Sequence, residues 1–229
     1  MSITKKIAER ISNYNDLNSF GSRMRKRRSQ LLLPMILEVF REKGEVNIID
    51  VGGTRTYWNI IPIDLLRAQN VKITIVNFPD TEMILDEPLF SFVPGDGRDL
   101  SNFDDNAFDI AHSNSVLEHV GNWEDMRRFA GEFARVGKKY FVQTPSFWFP
   151  IEPHCMTPFF HWLPVSIRIQ LVLHFELGHW KKATNPSEAK RIVESAQLLT
   201  TKKMQAIFSD AIIHTEWLLF PKSHIAIRE

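Results

Sequence analysis

The sequence predicts an α/β fold: a doubly wound, mostly parallel seven-stranded sheet with an antiparallel final strand. Three observations predict it. From residue 46 onward short β-branched runs alternate with helical segments, the mark of parallel strand–helix–strand units. The first run ends in an acid and two glycines, Asp50-Val51-Gly52-Gly53, a corner of the kind that opens a crevice at the carboxyl end of a strand. The last two runs, Ala211 to Leu219 and His224 to Ile227, meet at Pro221-Lys222 and lie so close that only an antiparallel hairpin joins them.

Taken in order, residues 1–45 read as an N-terminal helical extension broken near Phe20-Gly21. Arg23, Arg25, Lys26, Arg27 and Arg28 crowd one segment, and Leu31, Leu32, Met35, Ile36, Val39 and Phe40 follow at helical spacing. Two readings stand for the basic segment. It is a solvated helix start, or an anion site for a phosphate-bearing substrate or lipid surface, since guanidinium forks suit phosphate.

Val46 to Val51 is a buried strand, apolar and short enough to be parallel. A helix over Trp58 to Gln69 follows despite Pro62, then a strand Val71 to Val76 ending at Asn77, and a shorter strand Phe90 to Val93 closed by Pro94-Gly95-Asp96-Gly97. Phe108 to Ser113 is the fourth strand. Asn122 caps the next helix, which carries Met126, Ala130 and Phe133 on one face and stops at Gly137. Lys139 to Thr144 is the fifth strand, cut by Pro145. From about 145 to 182 the chain is dense in proline, aromatic residues and histidine, which predicts a lid inserted over a pocket. Pro186-Ser187 opens a helix to about Leu199, and Thr201 to Phe208 adds a short one before the hairpin.

Composition sets bounds on partners. The 229 residues are 44% hydrophobic and 24% charged, ordinary for a soluble globule, with a net charge of +1. That charge draws the chain to no nucleic acid, and one short arginine cluster is not a basic-aromatic nucleic-acid surface. A lone cysteine, Cys155, excludes an internal disulfide framework and points to a reducing compartment. The N-terminus lacks a secretory h-region and no run spans a membrane, so the expected location is cytoplasmic, with peripheral membrane contact left open. Oligomeric state is unreadable.

The strand order, the corner and the closing hairpin together resemble the class I S-adenosylmethionine-dependent methyltransferases, over residues 46–228. DVGGTRT stands where that family has D-x-G-x-G-x-G: Asp50 and Gly52 match, and Thr54 and Thr56 replace later glycines. Asn77 stands where the family's second strand ends in an acid that takes the ribose hydroxyls. PGDGRDL matches the adenine segment, with Asp96 toward the amino group and Gly97 beside the ring, and Ser113 to Val120 (SNSVLEHV) resembles the signature after strand four of the small-molecule branch. A narrower likeness, through FGSRMRKRR, DVGGT and TPSFWFPIEPH, is to bacterial members from surface-glycan or secondary-metabolite clusters. The resemblance implies a Rossmann-like methyltransferase domain over 46–229, S-adenosylmethionine as cofactor, and a cofactor site of Asp50, Gly52, Gly53, Thr54, Asn77, Asp96, Gly97 and Ser113.

It also implies methyl transfer to a hydroxyl of a small molecule or sugar intermediate, with a lipid- or phosphate-linked acceptor allowed. A hydroxyl must lose its proton as the bond forms, and histidine is the usual base near neutral pH. His154, in PIEPH at the pocket mouth, is the first candidate and His119 the second. Trp148 on the lid is expected against the substrate, Glu152 against the substrate or orienting one of the imidazoles, and Trp58 against substrate or the methionine end of the cofactor. The carboxylates and histidines show no defensible metal-ligand spacing. Three other readings compete: a binding or scaffold protein on the same fold, an N-methyltransferase on a small amine, and a nicotinamide dehydrogenase. The last expects G-x-G-x-x-G and an acid after strand two, and the chain has neither.

Overall fold

The computed structural model describes residue 16, residues 18–79 and residues 88–229. Residues 1–15 of the expected N-terminal extension lie outside the described residues. Helix α1 (Phe20–Lys43) is capped by the Ser19 hydroxyl, which accepts from the Ser22 amide at 3.1 Å, and ends at Gly44 in the left-handed conformation. Strands β1 (Val46–Val51), β2 (Val71–Asn77), β3 (Phe90–Pro94), β4 (Phe108–Asn114) and β5 (Gly137–Pro145) follow. After the two-residue strands β6 (Ile151–Glu152) and β7 (Thr157–Pro158), the chain closes with β8 (Ile212–Trp217) and β9 (Pro221–Arg228).

One sheet of seven strands runs in the order β3-β2-β1-β4-β5-β9-β8. Its first five strands are parallel, β9 is antiparallel to β5, and β8 pairs antiparallel with β9. The fold is the predicted Rossmann-like one. Order reverses between β1 and β4, and the crevice beyond their carboxyl ends is where such sheets take ligands.

The two faces of the sheet are set by the two-residue period of β1. Val46 and Ile48 point to a layer built by α1, the 3-10 helix Arg55–Ile60 and α2 (Ile63–Ala68), with Leu32, Ile36, Trp58 and Leu66 fully covered. Ile49 and Val51 point to the other layer, where α3 (Trp123–Val136) supplies Phe129 and Phe133 and α6 (Thr201–Ile207) supplies Met204. Covering each such side chain is worth about 2 kcal/mol. Pro62 splits the single helix expected over Trp58 to Gln69, because its ring cannot continue the hydrogen-bond ladder. Pro221, expected between the last strands, begins β9 instead, at a strand's first position where a missing N–H is tolerated. Helix α3 begins as predicted, with Asn122 and Asp125 forming a reciprocal capping box.

The segment from Pro145 onward is no loose flap. Around Cys155, Phe160 and Val172 it closes its own small core, which draws in Ala189 and Val193 from α5 (Pro186–Glu194) as well as α4 (Val165–His174). The expected boundary near 182 therefore falls inside one packed unit. No helix among the described residues is long and apolar enough to cross a membrane.

Candidate active site

Gly52, the residue directly after β1, has φ +71, and a Cβ there would stand 2.4 Å from a Val116 methyl. Its amide donates to the Val76 carbonyl at 2.7 Å, which fixes the corner against β2. Two hollows meet at this glycine. The first, about 290 Å³, runs past Val76, Asn77, Asp96, Gly97 and Phe129 to His119. The second, about 170 Å³, is bounded by Gly53, Thr54, Tyr57, Asn114 and Ser115. A third, about 410 Å³ and mostly apolar, shares Arg25 and Ser115 with the second and continues to Phe149, Met156 and Leu218. The three hollows form a row across the carboxyl ends of β1, β4 and β5.

Several predicted cofactor residues work beneath this trough. Asp50 lies on the Val46–Ile48 face of β1 and is wholly buried. Its Oδ2 accepts from the Trp58 indole at 2.8 Å and its Oδ1 meets His112 Nδ1 at 2.7 Å. His112 Nε2 in turn lies 3.1 Å from the Tyr57 hydroxyl. Burial pushes the Tyr57 phenol up, so it stays neutral and donates. Asp50 is thus the anchor of a buried relay whose last member, Tyr57, reaches the second hollow. Trp58, expected against substrate, is instead a core residue held by that carboxylate.

Asn77 spans the corner from β2. Its Nδ2 donates to the Gly53 carbonyl at 3.0 Å and its Oδ1 accepts from the Phe78 amide at 2.9 Å. Gly53 must itself be glycine, since a Cβ would stand 1.8 Å from an Asp50 oxygen. Ser113 is a correction: it is fully buried, donates to the Val51 carbonyl at 2.9 Å and borders none of the three hollows. Its neighbour on the other face of β4, Asn114, and the strained Ser115 (φ +58) face the site instead. Asp96 and Gly97 line the first hollow, with Asp96 held below its ordinary pKa chiefly by the Arg98 guanidinium, 2.5 Å away.

The expected histidines do come together. His154 Nε2 lies 3.0 Å from His119 Nε2, across 35 positions of sequence. His154 Nδ1 bonds Glu152 Oε1 at 2.7 Å, and His119 Nδ1 bonds the Ser195 carbonyl at 2.8 Å. Burial would lower the His154 pKa, but the Glu152 bond and charge more than offset it and hold the imidazole above its ordinary value. Neither ring keeps a nitrogen turned to the third hollow, so a base role for either is not supported by the geometry. Of the two roles expected for Glu152, the geometry matches the orienting one: it is buried and holds the His154 ring and the His154 and Cys155 amides. Trp148 is half-exposed against Phe147 and Trp162 and borders none of the three hollows.

Other residues replace them around the third hollow. Arg28 turns inward from α1, and its Nη1 donates to Asn114 Oδ1 at 2.7 Å and Gln143 Oε1 at 2.8 Å. Glu216 stands 3.5 Å from Arg28 Nε and 3.6 Å from Lys222 Nζ. Burial, then the Arg28 charge, brings the Lys222 pKa down to about 8. The signal for Arg28 was present: it lies one helical turn before Leu32, on the stripe continued by Met35, Ile36 and Val39. Gln143 and Lys222 carried no such signal.

Residues 58–140 match the family model described as a methyltransferase domain. That match covers 83 of the 229 residues, from the turn after β1 into β5. The chain's fold is also that of a SAM-dependent methyltransferase from Archaeoglobus fulgidus, at TM-score 0.54 and 13% identity over 88% of this chain and 91% of that one. An O-methyltransferase family protein from Burkholderia thailandensis aligns at TM-score 0.49 and 16% identity, covering all of this chain, which spans 64% of the length of that one. A SAM-dependent methyltransferase from Methanosarcina mazei aligns at 0.47 and 16% identity over 80% and 91%. No curated protein matches the chain in sequence.

S-adenosylmethionine is the cofactor of domains of this kind, and the trough is placed to take it. The first hollow is walled by Val51, Val76, Gly97 and Phe129, and Gly97 packs so closely there that a Cβ would stand 2.6 Å from Val51 and 2.7 Å from Phe129. The second hollow, with Thr54, Ser115 and Arg25, offers hydroxyls and a cation to an amino-acid end.

Proposed function

We propose that the protein transfers a methyl group from S-adenosylmethionine to a hydroxyl of a small molecule or sugar intermediate that carries an acidic group. One observation carries this reading: the second hollow adjoins the third, with Arg25 and Ser115 lining both. An acceptor in the third hollow would therefore abut the methionine end of the trough. Bound S-adenosylmethionine supplies a methyl carbon already activated on a sulfonium, which leaves the protein to position the acceptor, exclude water and take up a proton.

Arg25, Arg28 and Lys222, set against the single acid Glu216, leave the polar wall of the third hollow cationic. Such a wall attracts a carboxylate or phosphate and repels a protonated amine, which favours O- over N-methylation. Phe20, Phe149, Met156 and Leu218 give the same hollow an apolar side, so a sugar or alcohol joined through phosphate to an apolar tail fits it as well as a free acid. Lys222 borders this space, and with its pKa near 8 it is the side chain suited to take the hydroxyl proton.

Mass spectrometry of acceptor sets after incubation with methyl-labelled cofactor tests the reading. Label is expected in acidic hydroxyl compounds ahead of their neutral analogues. Label confined to amines would contradict it.

A further inference from the structure

Three side chains at the far end of the first hollow, where His119 lines it, converge without a partner at their centre. Glu118 and His119 come from the 3-10 turn after β4, and His154 from the inserted segment between β6 and β7. One ligand atom from each, a Glu118 oxygen and a nitrogen from each ring, lies within 4.8 Å of the others.

The hydrogen bonds around them fix where protons can be. A backbone carbonyl only accepts, so His119 Nδ1 must carry its proton toward Ser195, 2.8 Å away. His154 Nδ1 likewise donates to the Glu152 carboxylate at 2.7 Å. With both Nδ1 positions protonated, neutral rings would aim two Nε2 lone pairs at each other across 3.0 Å. Something positive belongs between them, either a proton or a metal ion.

Glu118 decides between the two. It is buried, its Oε2 accepts from the Thr144 hydroxyl at 2.9 Å, and its Oε1 is buried with no hydrogen-bond partner among the described residues. A shared proton uses two of the three converging groups and leaves that oxygen bare. A cation uses all three. Each ligand is also held from behind, by Ser195, Glu152 or Thr144, which is the arrangement that orients metal-binding imidazoles and carboxylates. The 3.0 Å nitrogen separation is close to the edge of about 3.3 Å that a tetrahedral ion with bonds of about 2.0 Å requires.

We infer that Glu118, His119 and His154 form a site for a divalent transition-metal ion of the zinc class, which pins the inserted segment to the turn after β4. Two imidazoles and one carboxylate leave the fourth position to water or another oxygen ligand. This inference is independent of the acceptor chemistry proposed above.

The test uses untagged full-length protein, stripped with a chelator and titrated with Zn²⁺ against a competing dye, then with Co²⁺ followed by visible absorption. One Zn²⁺ per chain is expected, with Co²⁺ giving the intense bands of a four-coordinate site. Affinity should fall more than tenfold in His119→Gln, an exposed position where the variant is expected to fold, and in His154→Gln. Zn²⁺ should raise the melting temperature of the native chain and leave that of His119→Gln unchanged. No binding by the native chain, or equal binding by His119→Gln, overturns the inference.

Discussion

Arg28 Nη1 sits 2.8 Å from Gln143 Oε1, joining the N-terminal helix to the fifth strand across 115 positions of sequence. The same nitrogen holds Asn114, and the same Gln143 oxygen accepts from the Ser115 hydroxyl at 3.0 Å. The N-terminal helix is therefore a wall of the candidate site rather than an appendage, and a guanidinium forms part of the lining of the third hollow.

Replacing Arg28 by Met should cost about 3 kcal/mol, because a buried charge is removed while Glu216, Asn114 and Gln143 stay behind. Urea denaturation monitored by tryptophan fluorescence measures it. A loss below about 1 kcal/mol would show that the network is not under tension of this kind.

Lys222→Arg keeps the charge but removes the proton acceptor, since a guanidinium does not deprotonate near neutrality. Native turnover should rise with pH through about 8, where Lys222 gives up its proton. In the variant that limb should vanish and turnover should drop by about 100-fold. A variant that keeps the limb would assign the titration to another group.

Asn77 stands where an acid is expected, and the structure supplies a reason: the amide must donate to the Gly53 carbonyl, which a carboxylate cannot do. Asn77→Asp should therefore weaken S-adenosylmethionine binding by about tenfold, or about 1.4 kcal/mol, although it restores the residue type of the family pattern. Tighter binding in calorimetry would mean that the ribose contact outweighs the corner.

His224, fully buried on β9 beside the Thr215 hydroxyl, has its pKa brought down to about 4 by burial. A depressed pKa contributes stability that is whole above the ordinary value of 6.5 and is lost as pH falls toward 4. The loss should reach about 3 kcal/mol for this group. His224→Leu should flatten the native stability curve between those values, and parallel curves for the two proteins would refute the assignment.

What the sequence revealed and what it hid divide along physical lines. Strands β1 to β5 and the hairpin were legible because buried parallel strands are written as local apolar runs with sharp ends, and the capping box at Asn122 and Asp125 is contained in four residues. Asp50 could be placed at a strand end, but its partner His112 lies 62 positions away, so its role as anchor was invisible. His119 and His154 were both singled out, yet their contact depends on how the inserted segment folds, which no periodicity encodes. Ser113 was one residue out: alternation sends it to the buried face covered by α3 and α6 and leaves Asn114 and Ser115 at the crevice.

Everything proposed for the acceptor depends on the trough through Gly52. Isothermal titration of the full-length protein with the demethylated form of the cofactor, which cannot react, tests that most directly. Saturable binding of one molecule per chain is predicted, weakened when Gly97→Val pushes Val51 and Phe129 into the first hollow in a variant whose circular dichroism spectrum matches the native one. Absence of binding to the native chain, or binding unaffected by Gly97→Val, would contradict it.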